Sequence, residues 1–253
     1  MPPAAFTDSD QPADVLEQLH TAERLGRIDR VLAARLGSVT AVFEHIDDPR
    51  NVGACLRSCD AYGIQDVHVI SGEGFDGLRG AVPASADRWL DVHRYRDTPN
   101  CLERLRAAGF VIWAADLEAA VPLDQLPLAP RVALVFGNEH DGVSTDMRAA
   151  ADQRFILPMR GMVQSFNISV AAAIALQTVV PNRVAELGGE GDLDPERTAA
   201  LRRRWLEYGI RNATQVRRAY GDPQLTGPAD AGTADPGQVS AAPAAGRAPK
   251  EQA

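Results

Sequence analysis

Between residues 39 and 187, strand-like and helix-like stretches alternate, and no other feature narrows the possible folds as far. Strand-like apolar runs fall at 39–46, 66–70, 89–92, 110–115, 132–136 and 154–157. Helical spacing appears at 52–62, 98–108 and 145–150. A long Ala-rich helix follows over 167–187, with Pro181 predicting a break or kink near its end. Such alternation implies an α/β fold: a mostly parallel sheet with helices on both faces. Sheets of this kind bind ligands outside the carboxyl ends of their strands. The loops after Ile46, Ile70, Ala115, Phe136 and Leu157 are therefore where chemistry is expected. No internal repeat is visible.

The flanks differ from this core. Residues 1–13 and 222–253 are rich in Pro, Ala, Gly, Asp and Ser, lack apolar periodicity, and read as disordered tails. Leu16, Leu19, Ala22, Leu25, Ile28, Val31, Leu32 and Leu36 recur at helical spacing, so 14–38 reads as an N-terminal helical extension. The domain proper spans 39–187, and Arg-rich C-terminal helices occupy 188–221. With 253 residues, 45% of them hydrophobic, the chain can bury a sizeable core. No stretch reaches the roughly 18–20 apolar residues of a membrane span. Residues 1–23 hold five acids, no Lys or Arg and no apolar h-region. These features predict a soluble cytoplasmic protein with no membrane partner. The three cysteines are read as reduced core thiols, and no His or Cys cluster has zinc-ligand spacing, so no metal is expected.

A net charge of −8 speaks against a nucleic-acid partner, but its distribution does not. Residues 197–220 carry seven Arg against one acid, Glu207, while Arg24, Arg27, Arg30 and Arg35 precede the first strand. Trp205, Tyr208 and Tyr220 lie among the C-terminal arginines. The cluster is read as an RNA surface, the alternative being aromatics packed on the core with Arg facing solvent.

Three strand ends carry distinctive residues. After Ile46 comes Asp47-Asp48-Pro49-Arg50-Asn51-Val52-Gly53, in which Asn51 is a suitable helix N-cap and Arg57 follows in the second turn. Arg57 there either meets a phosphate or hydroxyl or forms a surface salt bridge. After Phe136 comes Gly137-Asn138-Glu139-His140-Asp141-Gly142; a Gly at a strand end permits close backbone approach to a ligand. Glu139 is either functional or simply charges the next helix's N-terminus. After Leu157, Pro158-Met159-Arg160-Gly161-Met162 leads into Ser165-Phe166-Asn167-Ile168-Ser169 ahead of the long helix. Capping explains one of these polar residues but not two Ser and one Asn at alternate positions.

The segments NVGACLR, VFGNEHDG and ILPMRGMVQSFNISVAAAIAL resemble, in order and spacing, the three motifs of the SpoU branch of the SPOUT methyltransferases, over about residues 24–187. The third motif and the stretch WLEYGIRNATQVRRAYGDP resemble the TrmH subgroup in particular. This resemblance implies a deep C-terminal trefoil knot, S-adenosyl-L-methionine as cofactor, a homodimer, and transfer of a methyl group to the ribose 2′-hydroxyl of tRNA guanosine 18. Carried over by position, it implies Arg57, Asn51, Glu139, Ser165 and Asn167 as the catalytic set. Ala115, Gly137, Asn138, Leu157, Pro158, Met159 and Phe166 would hold the cofactor. Arg24, Arg27, Arg30, Arg50, Arg160, Arg202, Arg203, Arg217 and Arg218 would meet RNA. The chain departs from the subgroup at Asp47-Asp48, where a His-Lys pair is common.

Rival readings have weaker support. Gly72-Glu73-Gly74-Phe75-Asp76-Gly77 matches the dinucleotide fingerprint, but its two acids would repel a pyrophosphate and Pro83 interrupts the helix it needs. A non-catalytic RNA-binding protein has no need of Arg57 and Ser165 together. A ribosomal RNA ribose methyltransferase often carries an additional N-terminal domain, for which the 38 residues before the first strand are too few.

Overall fold

The computed structural model describes residues 14–71, 88–119 and 121–220. The chain forms two compact units, Met1–Ile210 and Arg211–Ala253. In the first unit six strands form one sheet: β1 (Val39–Glu44), β2 (Asp66–Ile70), β3 (Asp91–Tyr95), β4 (Val111–Ala115), β5 (Val132–Phe136) and β6 (Gln153–Phe155). Their order is β3-β2-β1-β5-β4-β6, and every pairing is parallel, as the alternation predicted. The strands β1 and β5, central in the sheet, are buried at every position, as expected for strands covered on both faces.

The covering helices are α2 (Pro49–Ala61), α3 (Thr98–Ala107), α4 (Thr145–Ala150) and α5 (Ile168–Leu187). Helices α2 and α5 pack one sheet face through Val52, Cys55, Leu56, Cys59, Ala172, Ala175 and Leu176. On the other face, Cys101, Leu105 and Met147 of α3 and α4 meet Val42, Ile112 and Val135. The N-terminal extension is a 3-10 turn (Val15–Leu19) and α1 (Ala22–Ala33), against which α6 (Pro195–Glu207) packs. The second unit contains α7 (Ala213–Ala219).

Several boundaries differ from the sequence reading, each for a local reason. Helix α2 begins three residues earlier than expected, because Asp48 caps it (Arg50 N to Oδ1, 2.9 Å) and Pro49 takes the first turn. Asn51 is thus inside the helix rather than its N-cap. Strand β3 lies at 91–95 rather than 89–92. Its polar sequence, Asp-Val-His-Arg-Tyr, carries no apolar period because it is an edge strand, and its one acid, Asp91, accepts from Arg197 and Arg204 of α6. The helix α5 runs unbroken through Pro181. Pro181 removes only its own bond to the Gln177 carbonyl, and both residues are exposed, so solvent can satisfy that carbonyl. Helix α5 is long and apolar enough by composition to cross a membrane, with a mean hydropathy of 1.3. Its buried side, however, is part of the sheet-covering core. The Gly72–Gly77 fingerprint and the tails at 1–13 and 222–253 lie outside the described residues.

Candidate active site

A cavity of about 280 Å³ opens at the carboxyl ends of β4, β5 and β6, beside the start of α5. Its wall includes Ala115, Gly137, Asn138, Leu157, Met159 and Phe166 of the expected cofactor set, together with Glu139 and Ser165. Pro158, Asn51, Arg57 and Asn167 do not line it. The loop after β5 is folded tightly against itself. Asn138 and Gly142 exchange two backbone hydrogen bonds, each 2.9 Å. Gly142 adopts φ +70°, and a Cβ on Gly137 would fall 2.1 Å from the Gly142 carbonyl. Only glycine fits at 137, which places the β5 backbone directly against the cavity.

Asn138 serves the loop rather than an open pocket. Its amide donates to the His45 carbonyl (2.8 Å) and Asp47 Oδ2 (2.7 Å), and its oxygen accepts from His140 N (2.7 Å). Asp47 and Asp48 thereby acquire structural tasks: one braces the β5 loop, the other caps α2. Asp48 also pairs with Arg50 at 2.9 Å, and Arg50 is itself 91% exposed. The hydrogen bonds from Arg50 hold the Asp48 carboxyl below its usual range.

Four side chains from three elements form one polar chain. Asn51 Nδ2 donates to Glu139 Oε1 (2.5 Å), and Asn51 Oδ1 accepts from Asn167 Nδ2 (3.2 Å). Asn167 caps α5, its Oδ1 accepting from Ser169 N (3.0 Å) and Ser169 Oγ (2.6 Å). Glu139, Asn51 and Asn167 of the expected catalytic set are thus brought together. Ser169, overlooked as a site residue, joins them, and the alternating Ser-x-Asn-x-Ser pattern was its signal. Ser165 lies on the cavity wall outside this chain of bonds. Arg57 is exposed, six residues beyond Asn51 on α2, and makes no hydrogen bond or ion pair among the described residues. Of the cavity carboxylates, Asp116 pairs with Arg148 (3.5 Å) and Arg154 (3.0 Å), and Glu118 with Arg148 (3.0 Å). Glu139 is bonded to a neutral amide instead. Nearby Cys55 is no nucleophile: burial, reinforced by the Glu139 charge, pushes its thiol up to about 12.

This constellation lies within the stretch that matches the SpoU rRNA Methylase family, residues 38–177. The chain belongs to the SpoU methylase family. This SpoU methylase is 33% identical over 188 residues to the tRNA (guanosine(18)-2′-O)-methyltransferase of Thermus thermophilus, covering 74% of this chain and 97% of that one. It is 29% identical over 175 residues to the 23S rRNA (guanosine-2′-O-)-methyltransferase RlmB of Vibrio vulnificus, covering 68% and 71%. Among solved structures it resembles the A. aeolicus TrmH/SpoU tRNA modifying enzyme, with a TM-score of 0.65 and 27% identity over 78% of this chain and all (100%) of that one.

The arginines assigned to RNA divide into two groups in this methylase. Arg202 pairs with Glu17 and with Asp29 (2.7 Å), Arg203 with Asp14 (3.9 Å), and Arg24 donates to the Tyr208 carbonyl at 2.5 Å. Arg217 is buried, with 1% of its surface exposed. Within the chain these four are held by burial or by partners of their own. For Arg202 and Arg203 the cause is mutual neutralisation of the basic helix α6 and the acidic N-terminal stretch, which makes much of the charge asymmetry internal. Arg35 is likewise buried, bonded to Asp60 (2.5 Å) and lying over the Trp205 ring. Arg27, Arg30, Arg160 and Arg218 are exposed.

Proposed function

We propose that this chain transfers a methyl group from S-adenosyl-L-methionine to a ribose 2′-hydroxyl of tRNA, that of the D-loop guanosine at position 18. The observation that carries this reading is the polar chain Glu139–Asn51–Asn167–Ser169, which starts from the cavity-lining Glu139, with Arg57 exposed on the helix that bears Asn51. The cavity suits the donor: Leu157, Met159 and Phe166 supply an apolar wall, Gly137 allows close backbone approach, and Glu139 offers a carboxylate without a cationic partner among the described residues. When bound, the donor supplies an activated sulfonium methyl, so no metal is required.

The protein's task is then positioning and proton handling. A ribose hydroxyl is a poor nucleophile and must lose its proton as it attacks. The guanidinium of Arg57 either anchors the flanking phosphate and steers the hydroxyl, or takes the hydroxyl's proton as base in the presence of that phosphate. Asn51, itself bonded by Asn167, holds Glu139 in place, and Ser165, on the cavity wall, orients ribose or donor. Arg57, Arg160, Arg27, Arg30 and Arg218 are exposed cations able to meet RNA phosphates, and Arg50 can join them by giving up a solvent-exposed pair of little energetic value. The resemblance further supports a knot, since the 157–167 segment after β6 returns to line the same cavity as the β4 and β5 loops. It also supports a homodimer: Met162, Val163 and Val170 beside the site are 101%, 65% and 44% exposed, an apolar surface that a second copy would cover.

The test is methyl transfer from labelled donor to unmodified total tRNA, with nuclease mapping and Arg57→Ala as control. A 2′-O-methylguanosine at position 18, absent with the variant, is the expected result. The likeness to the V. vulnificus enzyme favours ribosomal RNA as the second reading, and label in 23S rRNA but none in tRNA would move the assignment there.

A further inference from the structure

Glu44 ends β1 with 0% of its surface exposed, and among the described residues no Lys, Arg or His pairs with it. Its carboxylate is held from two sides instead. Oε1 accepts from Thr98 Oγ1 (2.5 Å) and Ser144 Oγ (2.7 Å), and Oε2 accepts from the Ser144 backbone N–H (2.8 Å). Thr98 opens α3. Ser144 caps α4 and ends the loop that begins at Gly137 and carries Glu139. A carboxylate buried without a counter-charge is costly, and a neutral residue would serve simple cohesion better. A task that needs an acceptor on both oxygens, by contrast, is served by Glu44 as it stands.

The neighbouring residue shows which task. His45 has φ +53°, rare for a non-glycine residue, and its carbonyl receives the Asn138 amide at 2.8 Å. Two consecutive residues at the end of β1 therefore grip the two ends of one loop: His45 holds Asn138 and Glu44 holds Ser144. Between these grips lies Glu139, the cavity carboxylate bonded to Asn51.

We propose that Glu44 is a positioning residue for methyl-donor binding, acting through Ser144 to fix the 137–143 loop and with it Glu139. The proposal rests on the reading of the cavity as the donor site. Three variants test it, each measured for S-adenosylmethionine affinity by calorimetry, for KM toward tRNA and for urea midpoint. In Glu44→Leu no acceptor remains, so the Ser144 N–H and both hydroxyls lose their common partner. Donor affinity is expected to fall about tenfold, with KM for tRNA little changed. Thr98→Val removes only the α3 side, so it should lower the urea midpoint while leaving donor affinity within about twofold. Ser144→Ala retains the carboxylate and should weaken donor binding in the same direction by a smaller factor, which decides the matter should Glu44→Leu fail to fold. Unchanged donor affinity in Glu44→Leu and Ser144→Ala, or an equal loss in Thr98→Val, would overturn the role of Glu44 alone. A wild-type chain that binds no S-adenosylmethionine would overturn the donor-site reading and this proposal together.

Discussion

A Cβ added at Gly137 would lie 2.1 Å from the Gly142 carbonyl, a main-chain obstacle that no rotamer change relieves. Gly137→Ala should therefore displace the loop that carries Glu139, weakening donor binding at least tenfold by calorimetry while helix content stays intact. Arg57 shows the opposite logic, since its side chain stands in solvent with nothing to displace. Arg57→Ala should leave donor affinity and urea midpoint near wild type and lower the single-turnover methyl-transfer rate by about 100-fold or more, the scale on which a positioned charged group contributes. Arg57→Lys should restore little, because a point charge cannot reproduce a bidentate fork on phosphate. The local sequence shows that Gly137 and Arg57 stand at strand ends and helix turns of consequence. It cannot show that one is enclosed and the other bare, because neighbours distant in the chain decide that.

At the scale of elements, the β2–β3 edge and α6 form a charged seam. Asp66 accepts from His93 (2.8 Å) and Arg197 (2.7 Å), and Asp91 from Arg197 (2.9 Å) and Arg204 (2.7 Å). Beneath it, His68 stacks on His93 at 4.9 Å, and its Nδ1 is 2.9 Å from the Tyr95 hydroxyl. Burial, with the His93 charge adding to it, pushes the His68 pKa down to about 3 from an ordinary 6.5. Between those values the unfolded chain binds a proton that the folded chain refuses, so stability falls as pH drops below 6.5. The slope is up to about 1.4 kcal/mol per pH unit. Urea midpoints at pH 7.5, 6 and 5 should decline accordingly, and His68→Gln should flatten the decline. On α6, Trp205 is 1% exposed and meets Trp89 edge-on at 5.2 Å. Trp205→Ala should cost about 3–5 kcal/mol and loosen α6. The aromatic residues and arginines of 197–208 were legible as a cluster, but their purpose was not. Their partners Asp14, Glu17, Asp29, Asp66 and Asp91 lie more than 100 residues away.

For the whole molecule, the proposed dimer makes a further prediction. Val170→Asp, on the exposed side of α5, should convert a dimer to monomer by light scattering and abolish methyl transfer, without lowering the helical signal in circular dichroism. A dimer that survives the change would move the interface away from α5. The alternation of apolar runs determined the class of fold by itself, because a strand buried on both faces must be apolar throughout and a covering helix must repeat every 3.6 residues. The three motif segments determined the family, since their spacing sets which residues stand at the strand ends. Pattern placed a strand near β3 but could not set its bounds, because Asp91 is there to meet α6, and it did not foresee the unbroken α5, whose Pro181 lies where solvent can satisfy the freed carbonyl. Nor could it separate arginines free to bind RNA from those already neutralised. Charge can be counted in a sequence, but its pairing depends on distance through space. Only the tertiary structure brought the acidic N-terminal stretch to α6, placed Glu44 between α3 and α4, and left Arg57 without a partner among the described residues.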